Sequence, residues 1–117
     1  MVKGKAKRIV WCSDGKRLRG KTFYEALDGP DRAKVKALFL RMANNGEISN
    51  TEHFKSEGEG IFCFKRYQIR FPCFFDGPDV VITQGFTKKS QKIPPDELVR
   101  AKRIRKQYLA TKGTGGK

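Results

Sequence analysis

Between residues 61 and 83 the chain passes through three short stretches rich in aromatic and β-branched residues, with only turn signals between them. Residues 61–64, 68–75 and 80–83 are too short for helices and carry the composition of strands. Asp76-Gly77-Pro78-Asp79 is a tight turn that leads straight into the third. Pro72 sits inside the second, where it removes a ladder donor, so a bulge or local edge is expected there. At 117 residues the chain is a single domain, with a modest core built around this sheet. Hydrophobic residues at 38% and charged residues at 32% fit a folded, soluble protein.

The segment after the third strand is punctuated in an unusual way. After Val80-Val81-Ile82 come Gln84, Gly85 and Phe86, then Lys88, Lys89 and Lys92 within five residues, then Pro94-Pro95-Asp96-Glu97. The two prolines and two acids fix a helix start. The lysines therefore lie in a connection between strand and helix, where ammonium groups and backbone donors can converge on phosphate. The helix is expected over residues 95–109. Leu98, Ala101, Ile104 and Tyr108 face inward, and Arg100, Lys102, Arg103 and Lys106 face outward.

Upstream, residues 8–12 read as a first strand, ended by Ser13-Asp14-Gly15. A short helix covers residues 22–27, with a start as early as Lys16. A second begins after Asp28, a capping residue, with Pro30 in its first turn. In it Val35, Leu38, Phe39 and Met42 fall at i, i+3, i+4 and i+7, and Asn44-Asn45-Gly46 ends it. Residues 47–60, polar and rich in Gly and Glu, read as a loop. Residues 1–7 form a basic extension, 8–110 the domain, and 111–117 a disordered tail. The order strand, helix, helix, three strands, helix predicts a small α+β protein: an antiparallel or mixed sheet with its helices gathered on one face.

The net charge of +14 is unevenly placed. Residues 1–21 carry eight Lys/Arg against one acid, residues 88–117 carry ten against two, and the middle is near neutral. A neutral scaffold with two basic flanks predicts a polyanionic partner, most often nucleic acid. Cys12, Cys63 and Cys73 are scattered, with no paired spacing, which fits buried thiols in a reducing compartment rather than disulfides or zinc. With no long apolar run and no secretion signal in the sequence, the expectation is a cytoplasmic protein without membrane contact.

Several of these residues together resemble the RelE/HigB superfamily of bacterial toxins, in particular its phage-derived HigB-like branch. The strongest match is Gly85-Phe86-x-Lys88-Lys89-x-x-Lys92-x-Pro94, followed by the helix with Glu97 and Ala101. Members typically carry Gly-Phe-x-Lys-Lys-x-x-Lys-Thr-Pro there, and Ile93 replaces the Thr. Gly60-Ile61-Phe62-Cys63-Phe64-Lys65 is similar to the family's Gly-Leu-Tyr-Glu-Leu-Arg strand, and Ile69-Arg70-Phe71 to its Tyr-Arg-Ile/Val. The resemblance covers residues 8–110. Cys63 stands where an acid is usual, Lys65 where Arg is usual, and Pro72 interrupts a strand that is normally regular.

The resemblance implies a RelE-like fold and endonucleolytic cleavage of mRNA in the ribosome, with a cognate antitoxin, commonly a helix-turn-helix protein, as partner. The RNA's 2′-hydroxyl attacks the adjacent phosphate, leaving a 2′,3′-cyclic phosphate and a free 5′-hydroxyl. No metal and no cofactor are called for. The reaction needs a base, cations for the phosphorane, and an acid for the 5′-oxygen.

Arg70 is the leading candidate, since a mid-strand guanidinium can clamp phosphate; the alternative is a solvent-facing strand arginine. Of Lys65 and Arg66, one should share its face by alternation. Lys88, Lys89 and Lys92 form a cationic rim in which mutual repulsion suits one lysine to acid–base work, the rest holding RNA by charge. The resemblance points to His53, in the loop before the strand at Gly60, as a base, with a lysine as the rival. Tyr67 is placed to stack on a nucleobase. Two other readings stay open: a basic RNA- or ribosome-binding module without catalysis, and a small phage DNA-binding protein.

Overall fold

The computed structural model describes residues 2–89 and 93–115. Their order is β1 (Val2–Lys3), β2 (Arg8–Trp11), α1 (Arg19–Ala26), α2 (Gly29–Asn45), β3 (Phe54–Gly58), β4 (Ile61–Arg66), β5 (Ile69–Asp76), β6 (Asp79–Ile82), β7 (Phe86–Thr87) and α3 (Pro95–Gly115). The strands form one mixed sheet in the order β1-β2-β6-β5-β4-β3, with β7 also paired to β5. β2 runs parallel to β6, and the other pairs are antiparallel. This is the α+β class expected from the sequence, and it agrees with a RelE-like arrangement.

The helix signals read from sequence are realised in atoms. Asp28 caps α2 by accepting the Asp31 N–H at 2.8 Å, and Gly46 closes it in the left-handed region with φ of 81°. The stripe Val35, Leu38, Phe39 and Met42 is buried against the sheet. Phe39 meets Phe64 and Phe71 edge-on, with centroids 4.9 and 5.5 Å away. Each such ring contributes roughly 1.5–3 kcal/mol through burial. All three cysteines are free and buried.

Three expectations are corrected, and the basic 1–7 extension contributes a strand in addition, because Val2 pairs with Ile9 and Lys3 with Arg8. Val2 is apolar and only 8% exposed, so docking it extends the sheet. The 47–60 loop contains β3, paired to β4 through Phe54↔Phe64 and Lys55↔Cys63. One anchoring ring suffices for an edge strand whose other residues face water: Phe54 stacks on Phe62 with centroids 5.6 Å apart.

The helices do not gather on one face. Strand alternation puts Phe71, Cys73, Val80 and Ile82 against α2, and Phe74 and Val81 against Ala101 and Ile104 of α3. α1 and α2 therefore cover one face and α3 the other. Finally, α3 runs past the expected end at Leu109 to Gly115, into the stretch 111–117 read as a disordered tail. Asp76 draws it onward by accepting from the Tyr108 hydroxyl at 2.6 Å and from Lys112 Nζ at 2.5 Å.

Pro72 takes the central strand without distorting it. β5 keeps its register with β4 straight through Cys63↔Pro72. The irregularity lies on the other side of β5, where Cys73 pairs with Ile82 but Arg70 pairs with Phe86, so three steps along β5 face four along its neighbour. Thr83 N–H donates to the Pro72 carbonyl at 3.0 Å, but proline returns no donor. Pairing breaks there, and the extra residue is housed in the connection 83–85 between β6 and β7.

Candidate functional site

The register fixes which basic residues meet. Lys65 lies directly opposite Arg70 across the β4–β5 ladder, so the two share a face and Arg66 points to the other. Phe86 of β7 pairs with Arg70 from the far side. One step on, Lys88 N–H donates to the Gln68 carbonyl, which puts Lys88 two residues along from Phe86 and on the face of Arg70. On the opposite flank, Lys65 N–H donates to the His53 carbonyl at 2.8 Å, continuing the β3–β4 ladder one residue beyond Phe54. His53, Lys65, Arg70 and Lys88 thus occupy a row across four neighbouring segments of the sheet.

Arg70 is held rather than free. Its side chain is buried, and Nη1 donates to the carbonyls of Ile69, at 2.9 Å, and of Tyr67. It thereby pins the tip of the β4–β5 hairpin, where Tyr67 adopts a left-handed φ of 53°. Among the described residues, Nε and Nη2 are left for another acceptor. The Lys65 ammonium reaches the Thr51 carbonyl at 3.1 Å, tying the row to the turn before β3. His53 Nδ1 is buried without a hydrogen-bond partner among the described residues.

Lys88 reports the electrostatics of this face. Partial desolvation first, then the charges of Arg70, Lys65 and Lys55, hold its ammonium below the ordinary lysine pKa, while Glu57 opposes them. Lys55 and Glu57 are site residues that sequence reasoning missed. Both lie on β3, whose polar composition reads as loop, and the period-2 alternation that relates Lys55 to Cys63 and Lys65 has meaning only once a strand is known there. Glu57 sits at the irregularity between Ser56 and Gly58.

Cys63, which stands where the resemblance leads one to expect an acid, has a fully buried thiol. It donates to the Phe64 carbonyl, and burial, followed by the charge of Glu57, pushes its pKa up to about 12. It cannot serve as a proton acceptor near neutral pH. Glu57, on the adjacent strand, restores a carboxylate to this neighbourhood.

Arg66, Tyr67 and Lys89 are not in the row. Arg66 lays its guanidinium over the Tyr67 ring, 4.0 Å from the centroid, at the hairpin tip. Tyr67 is 73% exposed there. Lys89 is exposed just beyond β7. Lys92 lies outside the described residues.

A family model described as Phage derived protein Gp49-like (DUF891) matches residues 22–106. That span takes in His53, Lys55, Glu57, Lys65, Arg70 and Lys88 alike. Among curated proteins none matches the chain.

Proposed function

Because this chain belongs to the phage-derived Gp49-like family, one associated with RelE-like toxins, we propose that it is the toxin of a toxin–antitoxin pair. Its activity on this reading is metal-independent, ribosome-dependent cleavage of mRNA. One arrangement supports this above all: Lys65, Arg70 and Lys88 on one sheet face, with Glu57 and His53 beside them. Like-charged side chains directly opposite one another cost stability. A fold that keeps them so is organised for an anion.

The chemistry is set by that row. A scissile phosphate is clamped by the Arg70 guanidinium and the Lys65 ammonium, whose charges match the dianionic phosphorane. The 2′-oxygen bonds to phosphorus as its proton passes to a base. Two groups can take that proton, the Glu57 carboxylate and the His53 imidazole, and single substitutions separate them. The bond from phosphorus to the 5′-oxygen breaks, and Lys88, with its lowered pKa, delivers a proton to that oxygen. Tyr67, backed by Arg66, offers a ring for a neighbouring base. Lys89 and Lys92 add charge along the strand. The partners on this reading are mRNA, the ribosome and a cognate antitoxin of the helix-turn-helix kind, and the compartment is the cytoplasm.

The test is primer extension on an mRNA under translation in a purified system, with wild type, Arg70→Ala and Lys88→Ala. Discrete cuts within translated codons, with cyclic phosphate ends and absent from both variants, are expected. Intact mRNA with ribosome-bound wild-type protein sinks the nuclease in favour of a non-catalytic binding module.

A further inference from the structure

A second cationic groove lies next to this row. It has a volume of about 560 Å³ and runs between the turn before α1, α1 itself and the first turns of α3. Lys16, Arg17, Arg19 and Arg100 line it, over an apolar floor that includes Phe23, and none of the described residues in its lining is acidic. Two of the four cations are fixed in place. Arg19 Nε donates to Asp14 at 2.7 Å, and Arg100 Nη1 to Glu97 at 3.4 Å. Lys16 and Arg17 are exposed, in a turn closed by reciprocal backbone bonds between Asp14 and Arg17.

The groove and the catalytic row share a wall. Gly85 lines the groove, and the next residue, Phe86, pairs with Arg70. Gln84, also in the lining, is buried and donates to the Glu97 carbonyl at 2.8 Å, which joins this connection to the start of α3. A chain of phosphates leaving Arg70 over Gly85 therefore meets more cations rather than neutral surface. An aromatic edge beside arginines also suits a nucleotide, which brings a π-face together with an anion.

We propose that this groove is a second RNA subsite, which holds the single strand flanking the scissile phosphate through Lys16, Arg17, Arg19 and Arg100. The assignment rests on the RNA-cleaving reading above. It adds to that reading the path of the substrate and residues that contribute to binding without touching the reacting atoms. Loss of Lys16 and Arg17 lowers affinity for RNA.

The experiment is fluorescence anisotropy with a 12-nucleotide single-stranded RNA, 2′-O-methylated so that it binds without being cut, over a range of salt. Wild type, Lys16→Ala/Arg17→Ala and Lys88→Ala are compared, with thermal melts to establish that each is folded. Each phosphate contact on a single strand contributes about 0.7 to the slope of log affinity against log salt. The double variant is expected to bind more weakly, with a slope smaller by about 1.4, and Lys88→Ala with a slope smaller by about 0.7. If the double variant keeps the wild-type affinity and slope while Lys88→Ala loses both, the subsite is wrong and the RNA site stands. The groove then becomes a surface for an acidic protein segment. If wild type does not bind this RNA at all, the subsite fails, while ribosome-dependent cleavage, which needs no affinity for free RNA, is decided by the primer-extension test.

Discussion

Lys65 and Arg70 stand face to face across the β4–β5 ladder, two cations in a cross-strand pair. Cross-strand pairs of like charge are destabilising by about 0.2–1 kcal/mol, so their juxtaposition sets stability against function. Lys65→Met keeps the aliphatic stem and removes the charge. Relief of the repulsion offsets the lost exposed bond to the Thr51 carbonyl, so stability is expected to stay within about 1 kcal/mol of wild type, while cleavage falls by about 10²-fold or more. Urea melts and cleavage assays on one preparation check both, and a variant that is less stable and fully active refutes the trade.

Arg70 is expected to behave differently, because its guanidinium also holds the Tyr67 and Ile69 carbonyls. Arg70→Ala should cost about 1–3 kcal/mol in folding stability as well as abolishing cleavage. Arg70→Lys keeps the charge and loses the fork, so it should recover part of the RNA affinity and little of the activity. Equal stability of wild type and Arg70→Ala, by thermal melt, contradicts the tethering role.

The depressed Lys88 ammonium offers a test by titration. Desolvation first, then Arg70, Lys65 and Lys55, push its pKa down, and Glu57 pushes it up. Lys65→Met must therefore move the Lys88 midpoint upward, and Glu57→Gln must move it further down. ¹³C NMR of the Lys88 side chain reads both. Where Lys88 acts as the acid, the alkaline limb of the pH–rate profile moves in the same directions. A midpoint indifferent to both substitutions would mean that these charges do not share a face.

Asp14 ties together parts of the chain that lie far apart in sequence. Its carboxylate accepts from Arg103 of α3 at 3.0 Å and from Arg19 of α1 at 2.7 Å, and these bonds hold its pKa well below the usual carboxylate range. A depressed folded-state pKa contributes stability above the unfolded value of about 3.9 and loses it as pH falls further. Asp14→Asn is expected to cost about 1–2 kcal/mol at pH 7, with the gap from wild type closing below about pH 4. A gap that stays constant to pH 2 excludes the linkage.

Gly85 is packed too closely to accept a side chain. An added Cβ would lie 2.8 Å from Phe71 Cε1 and closer still to Phe23. Gly85→Ala should destabilise by about 1–3 kcal/mol through overpacking, measurable as a lowered urea midpoint. A neutral result would show that the Phe23 ring yields freely.

Much of the architecture was legible in the sequence because it follows from local rules. Asp28, Pro30 and Gly46 bracket α2, and the turn at residues 76–79 joins two strands whatever surrounds them. β3 was not legible, since an edge strand with water on most of its surface needs only Phe54 to anchor it, and nothing periodic remains to be seen. Which face α3 covers was also hidden. That depends on whether Phe74 or Phe71 points toward it, and both are aromatic. For the site, Lys65, Arg70 and Lys88 could be picked out from spacing, but their meeting depends on a ladder register that composition does not encode. Glu57 was invisible for the same reason as the strand that carries it.

Pro72 gives this sheet a seam. With no donor to offer, it keeps β6 and β7 from zipping into one continuous strand beside β5, and the slack gathers in residues 83–85. That seam is filled rather than loose: Thr83 and Gln84 are buried in it, and Gly85 lies against Phe23 and Phe71. The missing donor of one proline thus places a packed joint between the two cationic surfaces, so that a change at 83–85 is felt on both at once.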